Sequence, residues 1–220
     1  KERHFFEMYF VGRVEFLQMI TSCTVKPNSQ PRKGESYLEY RMYGLVPYNI
    51  SSIQSAIQYG HAVQEYNNLM FDGNHICRSI NFGEALLKSN QIGFNKWRKQ
   101  DKTFIILNGG TTNNSKDDRW YGSLQKSRDT LYENGVLFSE FYEPDLNDTL
   151  TAVVFLVDER VFNKETYPNF EKEVLPYSRT RPSDKKIEEL EKRNAINYEK
   201  WVEKIGGPKN AFLREFLPKF

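Results

Sequence analysis

Short apolar runs alternate with helical patterns through the middle of the chain. Residues 37–46 are rich in Tyr and Leu and stop at Pro47, which is typical of a strand, and 103–107 is a short branched run. Two further strands are predicted near 136–142 and 151–157. Helices between the earlier strands predict parallel crossovers, whereas the short polar link between the last two predicts a hairpin.

The first predicted helix begins at Ser51, because Gln54 follows at capping-box spacing. Residues 67–80 are predicted as loop, 81–100 as one or two helices, and 124–132 as a helix stopped by Asn134-Gly135. Helical spacing gives the first helix an apolar face and, on its other side, a polar stripe. The apolar face carries Ile53, Ala56, Ile57 and Gly60, and the stripe carries Gln54, Gln58, His61 and Glu65.

The two ends of the chain differ in composition from the middle. Residues 26–36 consist of residue types typical of turns and linkers. Beyond Pro168 a second linker leads to Ser183, which is predicted to cap a helix that ends at 206–208. Its apolar stripe is expected to pack on the core. The domain prediction is therefore an N-terminal extension at 1–36, an α/β domain with helices on both faces of a mixed sheet at 37–165, and a charged helical C-terminal extension at 166–220.

Charge and composition limit the classes of partner. The 220 residues carry 31 Lys and Arg against 29 Asp and Glu, but residues 37–160 alone carry twelve against fifteen. Because a domain that grips a long phosphate backbone usually has a basic stripe, extended nucleic-acid binding by this segment alone is disfavoured. With a mean hydropathy of -0.69 and no apolar run near the length of a span, we expect no membrane segment and no signal peptide.

Cysteine and histidine are sparse and scattered. Cys23 and Cys77, like the three histidines, match no metal-ligand spacing, so neither a metal site nor a cofactor is expected. One disulfide remains open, although such low cysteine use favours a reducing cytoplasm.

Three blocks of the sequence resemble the type 2 peptidyl-tRNA hydrolases, and in particular their phage-encoded relatives. They are 58–62 (QYGHA), 102–112 (KTFIILNGGTT), and 141–148 (FYEPDLND) running into 150–152 (LTA). The resemblance covers about 37–162. It implies a mixed, mostly parallel four-stranded sheet flanked by helices, and cleavage of the ester between a peptide and the tRNA 3′ end without a metal. The family's first-helix lysine falls on Gln54.

The candidate site residues follow from this chemistry. Ester cleavage without a metal needs a base for water and donors for the oxyanion, which suggests His61, Glu143 and Asp145 as catalytic groups. Gln54 and Gln58 can donate amide hydrogens to a substrate, although Gln54 is equally explained as a capping partner. Two further groups complete the set. A glycine turn could cradle a phosphate or only form a tight turn, and a basic run could contact the tRNA backbone. The glycine turn consists of Gly109, Gly110, Thr111 and Thr112, and the basic run consists of Lys96, Arg98, Lys99 and Lys102.

Two other functions stay open. A nucleotide-binding protein could use the same residues to sequester or cleave a small, cyclic or linear nucleotide, such as an immune signal if the gene is viral. An inactive fold could instead serve as an interaction module through its charged tail. The expected partner is thus a tRNA 3′ end or a small nucleotide in the cytoplasm, the host cytoplasm for a viral protein, and a homodimer is also open.

Overall fold

The structure is a computed structural model that describes residues 37–72, 84–113, 121–176 and 182–220. The predicted N-terminal extension, its linker, both cysteines and part of the predicted 67–80 loop lie outside these ranges. Residues 38–220 form one compact unit. No helix among the described residues is long and apolar enough to cross a membrane.

Four strands form one sheet in the order β2-β1-β4-β3. They are β1 (Tyr40–Pro47), β2 (Thr103–Gly110), β3 (Phe138–Glu143) and β4 (Thr149–Asp158). β1 and β2 pair in parallel, whereas β4 lies antiparallel between β1 and β3. The predicted α/β fold with a mixed four-stranded sheet is confirmed. Its mostly parallel character holds for strand direction, since β1, β2 and β3 run the same way, but only one of the three pairings is parallel.

The described part of the chain also contains six α-helices. They are α1 (Ser52–Asp72), α2 (Glu84–Lys96), α3 (Ser123–Glu133), α4 (Glu159–Phe162), α5 (Asp184–Lys204) and α6 (Pro208–Phe216). A π-helix, Trp97–Asp101, joins α2 to β2, and a 3-10 turn, Pro144–Leu146, joins β3 to β4. A last 3-10 turn, Leu217–Lys219, follows α6. The predicted terminal hairpin is therefore confirmed.

The helices α1 and α3 cover opposite faces of the sheet. Ser139 Oγ donates to the carbonyl of Ala62 on α1 at 2.6 Å, whereas the next residue, Glu140, pairs with Arg128 on α3. Successive strand residues point to opposite faces, so these two contacts place the helices on opposite sides. On the α1 side the Tyr59 ring fills the space over Gly44, where an added Cβ would lie 2.1 Å from the ring.

The buried face of α1 differs from the apolar face in the sequence. Ile53 and Ile57 are 75% and 50% exposed, whereas the core receives Tyr59, Ala62, Tyr66, Leu69 and Met70. The loop prediction for 67–72 is wrong, because Leu69 and Met70 continue the buried stripe one turn beyond Tyr66 and keep the chain helical. The tertiary contacts therefore chose between two partly apolar helix faces.

The C-terminal helices also differ in part from the sequence prediction. Ser183 stands at the N-cap of α5 as predicted, but its side chain makes no capping hydrogen bond. In the stripe expected to pack on the core, Ile205 is fully buried. Tyr198 instead contacts Phe170 edge to face, and Trp201 contacts the same ring at a tilt. The helix α6 was not predicted, and its Leu213 and Phe216 join the main core.

The capping box at the start of α1 is confirmed and gives a direct stability prediction. Ser51 Oγ accepts from Gln54 N at 3.2 Å, and Gln54 Oε1 accepts from Ser51 N at 3.0 Å. Ser51→Ala removes one of these bonds and is expected to lower the free energy of unfolding by about 1 kcal/mol. Urea unfolding measures this change. Ser52→Ala, one residue into the helix, is the matched control, and an equal loss in both variants would rule out a capping effect.

Candidate functional site

A cleft opens where the ends of the strands meet α1. The carboxyl ends of β1, β2 and β3 and the start of β4 lie at one edge of the sheet, which is where ligands of α/β proteins commonly bind. The cleft has a volume of about 160 Å³ and includes four of the residues singled out from the sequence. It is lined by Ile50, Gln54, Gln58, Glu143, Asp145 and Leu146.

Gln58 is the hydrogen-bonding centre of this cleft. Its side chain is 6% exposed; Nε2 donates to Glu143 Oε2, and Oε1 accepts from Thr151 Oγ1 at 2.8 Å. The two contacts join residues 85 and 93 positions apart in the chain. Because the Thr151 hydroxyl occupies the amide oxygen, the amide NH2 is turned toward the carboxylate.

Thr151 is a site residue that the sequence analysis missed as such. It is fully buried in β4, whose other residues from Leu150 to Val157 are apolar. A single hydroxyl within the apolar run from Leu150 to Val157 was the available signal, since buried polar groups almost always have a partner. Its partner could not be read from the sequence.

Glu143 is held in place by a rigid turn. It ends β3, and its Oε1 accepts from the NH of Asp145 at 3.4 Å across Pro144, which starts the 3-10 turn. The hairpin then closes through Asn147 and Asp148, which have φ values of 54° and 55°. Asn and Asp adopt this left-handed conformation more readily than most residues. The half-buried carboxylate of Glu143 thus has a donor on each oxygen, while the Asp145 side chain remains exposed.

The charge of the cleft limits what it can bind. Its lining contains the carboxylates of Glu143 and Asp145 and, among the described residues, no Lys or Arg. Carboxylates accept hydrogen bonds, so the cleft suits ligand groups that donate them, such as hydroxyls, amines and water. Among all the residues that the structure describes, no cluster of three or more His, Cys, Asp or Glu side chains could hold a metal ion.

His61 lies beside the cleft and is not part of its lining. Its exposed ring stacks on Phe141, with the ring centroids 4.6 Å apart and the planes 19° from parallel. His61 follows Gln58 by one helical turn, and Phe141 precedes Glu143 by two residues. The sequence thus placed His61 on the correct side of α1, but one turn farther along the helix than the cleft.

The glycine turn after β2 uses its polar groups inside the protein. The NH of Gly110 donates to Asn108 Oδ1 at 2.9 Å, and the NH of Thr111 donates to Ser123 Oγ at 2.7 Å. Thr111 Oγ1 in turn accepts from the NH of Ser123 at 3.2 Å, and so satisfies one of the free donors at the start of α3. Two of the NH groups predicted to cradle a phosphate, those of Gly110 and Thr111, therefore have protein acceptors.

The remaining residues of this turn fix α3 against the sheet. Thr112 Oγ1 donates to the carbonyl of Leu150 and accepts from Gln125 Nε2 at 2.9 Å. A Cβ on Gly109 would come within 2.8 Å of the Leu124 side chain and 3.0 Å of Leu45 Cβ, so these side chains would have to move to admit a larger residue. The turn lies at the same edge of the sheet as the cleft, but it is not in the cleft lining.

The basic cluster lies at the other end of β2. Lys96, Arg98, Lys99 and Lys102 surround the π-helix that precedes Thr103. Arg98 lies over the Phe71 ring at 4.8 Å. At about 3.3 Å per residue, the length of β2 separates this cluster from the edge that carries the cleft by roughly 23 Å. A small nucleotide cannot contact both, whereas a longer nucleic acid can.

Comparison with protein-family models, with curated proteins and with solved structures found no match to this chain. The resemblance to peptidyl-tRNA hydrolases thus stays a prediction from the three sequence blocks.

Proposed function

We propose that this protein is a hydrolase that resembles peptidyl-tRNA hydrolase and cleaves the ester between a peptide and the tRNA 3′ end without a metal. The observation that carries the proposal is the Gln58–Glu143 hydrogen bond inside a cleft at the strand ends. A carboxylate oriented by two donors beside an accessible cleft has the geometry expected of a general base.

In the proposed reaction Glu143 accepts a proton from a water molecule as the water attacks the ester carbonyl carbon. The bond between that carbon and the ribose oxygen breaks, and Glu143 passes the proton to the leaving ribose oxygen, which becomes a hydroxyl. The peptide leaves as a carboxylic acid, which releases its own proton to solvent. Gln54 Nε2 is assigned to the carbonyl oxygen, because Gln54 Oε1 already accepts from Ser51 N. Asp145 accepts a hydrogen bond from the neighbouring ribose hydroxyl, and Thr151 keeps Gln58 in the required orientation.

The charge of the lining favours this proposal over capture of a small nucleotide. A phosphate placed in the cleft would face two carboxylates without a lining cation, and like charges at close range disfavour binding. A ribose ester carries no charge, and its free ribose hydroxyl is a hydrogen-bond donor. In the proposed complex the phosphates of the tRNA lie outside the cleft, toward the distant basic cluster.

The test compares both substrate classes on one protein sample. The chain is incubated with N-acetyl-aminoacyl-tRNA and, separately, with cyclic and linear nucleotides, and cleavage and retention are scored independently. We expect cleavage of the tRNA ester only. Retention or cleavage of a nucleotide with an intact tRNA ester would replace the proposal with the nucleotide-binding alternative, and no turnover of either would favour an inactive interaction module.

A charge-loss variant tests the role of the basic cluster. Lys99→Gln/Lys102→Gln is expected to raise KM for N-acetyl-aminoacyl-tRNA without lowering kcat, because the two exposed lysines lie far from the cleft. The slope of log affinity against log salt concentration should fall in magnitude by about two units, one for each phosphate contact. Steady-state kinetics at several salt concentrations measure both effects.

The control for this prediction is Lys185→Gln/Lys186→Gln, which removes the same charge from an exposed part of α5. An N-acetyl-aminoacyl ester of adenosine alone, which cannot reach the basic cluster, should be cleaved equally by all three proteins. Equal salt slopes for the parent and Lys99→Gln/Lys102→Gln would show that the cluster does not contact the tRNA backbone.

A further inference from the structure

A second and larger depression lies between the two C-terminal helices, away from the residues of the cleft. This groove has a volume of about 660 Å³, within the usual range of about 300–1,000 Å³ for ligand sites. Tyr198 and Val202 of α5 form one wall, and Ala211 and Phe212 of α6 contribute to the other. Neither the resemblance nor the proposed hydrolysis gives this groove a role.

The two walls of the groove are held at a fixed angle by the turn between the helices. Gly206 and Gly207 have φ values of 91° and 104°, and the NH of Gly207 donates to the carbonyl of Val202 at 2.8 Å. Ile205, immediately before them, is fully buried. A ligand therefore meets a formed groove, and binding does not require the two helices to be ordered first.

The spacing of residues on α6 suits a helical ligand. Pro208, Ala211, Phe212 and Glu215 line the groove at intervals of three, one and three residues, which places them on one side of the helix. This side spans about 10 Å at 1.5 Å per residue, or two turns. A helix lying in such a groove presents apolar side chains at positions i, i+3 or i+4, and i+7, over the same length.

The charged side chains that line the groove are of one sign. Glu199 and Glu203 stand one turn apart on α5, and Glu215 stands on α6. All three are exposed, and no Lys or Arg occurs in the lining among the described residues. Apolar walls with an acidic rim are complementary to a ligand that has apolar anchors and a basic border.

We propose that this groove binds a basic amphipathic helix of a partner protein, with leucine-type side chains against Val202, Ala211 and Phe212 and lysine or arginine beside the three glutamates. This interaction is independent of the hydrolysis proposed for the cleft. It assigns the C-terminal helices a binding function of their own.

The test uses a fluorescein-labelled amphipathic helix built from leucine and lysine, and fluorescence anisotropy with the full chain. Two control peptides keep the length: one replaces every lysine with glutamate, and one scrambles the order so that no apolar face forms. We expect binding of the first peptide only, with protection of 198–215 in hydrogen–deuterium exchange. Equal binding of the scrambled peptide, or protection elsewhere in the chain, overturns the proposal.

Two variants locate the interaction. Glu199→Gln/Glu203→Gln should weaken binding roughly two- to thirtyfold at low salt, the range for two exposed ion pairs. Glu189→Gln/Glu191→Gln, on α5 outside the groove, has the same change in charge and should bind like the parent. Val202→Trp fills the groove and should weaken binding about tenfold or more, since a leucine anchor is excluded.

Circular dichroism checks that each variant is folded, and the exposed glutamate pair keeps the test valid if Val202→Trp does not fold. The proposal fails if both glutamate variants weaken binding equally. It also fails if sedimentation velocity shows that the chain self-associates through the groove without binding the peptide, which would make a second copy the occupant.

Discussion

Glu143→Gln is expected to lower kcat for hydrolysis of N-acetyl-aminoacyl-tRNA by about 100-fold or more. The substitution removes the negative charge that a general base needs, and such a base typically contributes ~100- to 10,000-fold to the rate. The amide oxygen of the new side chain can still accept from Gln58 Nε2, and only the long contact with the NH of Asp145 is lost, so KM should change little. Single-turnover kinetics with saturating enzyme measure the chemical step directly.

The matched control for this variant is Glu133→Gln, which removes one exposed carboxylate at the end of α3. Thermal melting should show both variants within about 1 kcal/mol of the parent, the limit for loss of a turn contact. Turnover of Glu143→Gln within about threefold of the parent would exclude Glu143 as the base. The exposed His61, beside the cleft on Phe141, would then be tested by His61→Asn.

Arg128→Met is expected to lower the free energy of unfolding by about 3–5 kcal/mol. Arg128 on α3 pairs with Glu140 on β3 at 3.2 Å, and the two side chains are 10% and 1% exposed. Removing the arginine breaks a buried ion pair from one side, and such a change has a cost of this size. Urea unfolding followed by circular dichroism gives the value.

The double variant Arg128→Met/Glu140→Leu provides the decisive comparison. It buries no charge, so it should lose clearly less stability than Arg128→Met alone. Glu140→Leu alone should also be milder, because Arg128 keeps Asp129 at 2.6 Å and the Tyr121 hydroxyl at 2.7 Å. If the double variant loses as much as the sum of the two single variants, the pair is not coupled and this explanation is wrong.

The cleft could be anticipated only in part. Gln54 and Gln58 share one side of α1 because α-helical spacing requires it, and Glu143 and Asp145 occupy one rigid turn because Pro144 lies between them. Each pair is local in sequence. The two pairs meet only because β3 is the outer strand of the sheet and lies next to α1. This strand order is a property of the assembled fold.

The glycine turn after β2, predicted as a possible phosphate cradle, shows why a turn motif alone does not indicate a binding site. Gly109-Gly110-Thr111-Thr112 forms the expected sharp exit from β2, and Gly110 has a φ of 84°. The partners of this turn, Ser123 and Gln125, lie in a helix that begins later in the chain. Their hydrogen bonds occupy the NH of Thr111 and the hydroxyl of Thr112, which a ligand would need, and the motif itself does not indicate these distant partners.

The sequence by itself determined the type and approximate position of most elements, because strand and helix periodicities, caps and turns act over a few residues. The branched runs became β2 and β4, the capping box started α1, and Asn134-Gly135 followed the end of α3. Only the tertiary structure decided which side of α1 is buried, that Thr151 orients Gln58, and that α6 forms a groove with α5. These features depend on contacts between distant segments, whose free energy is gained only when the whole core packs.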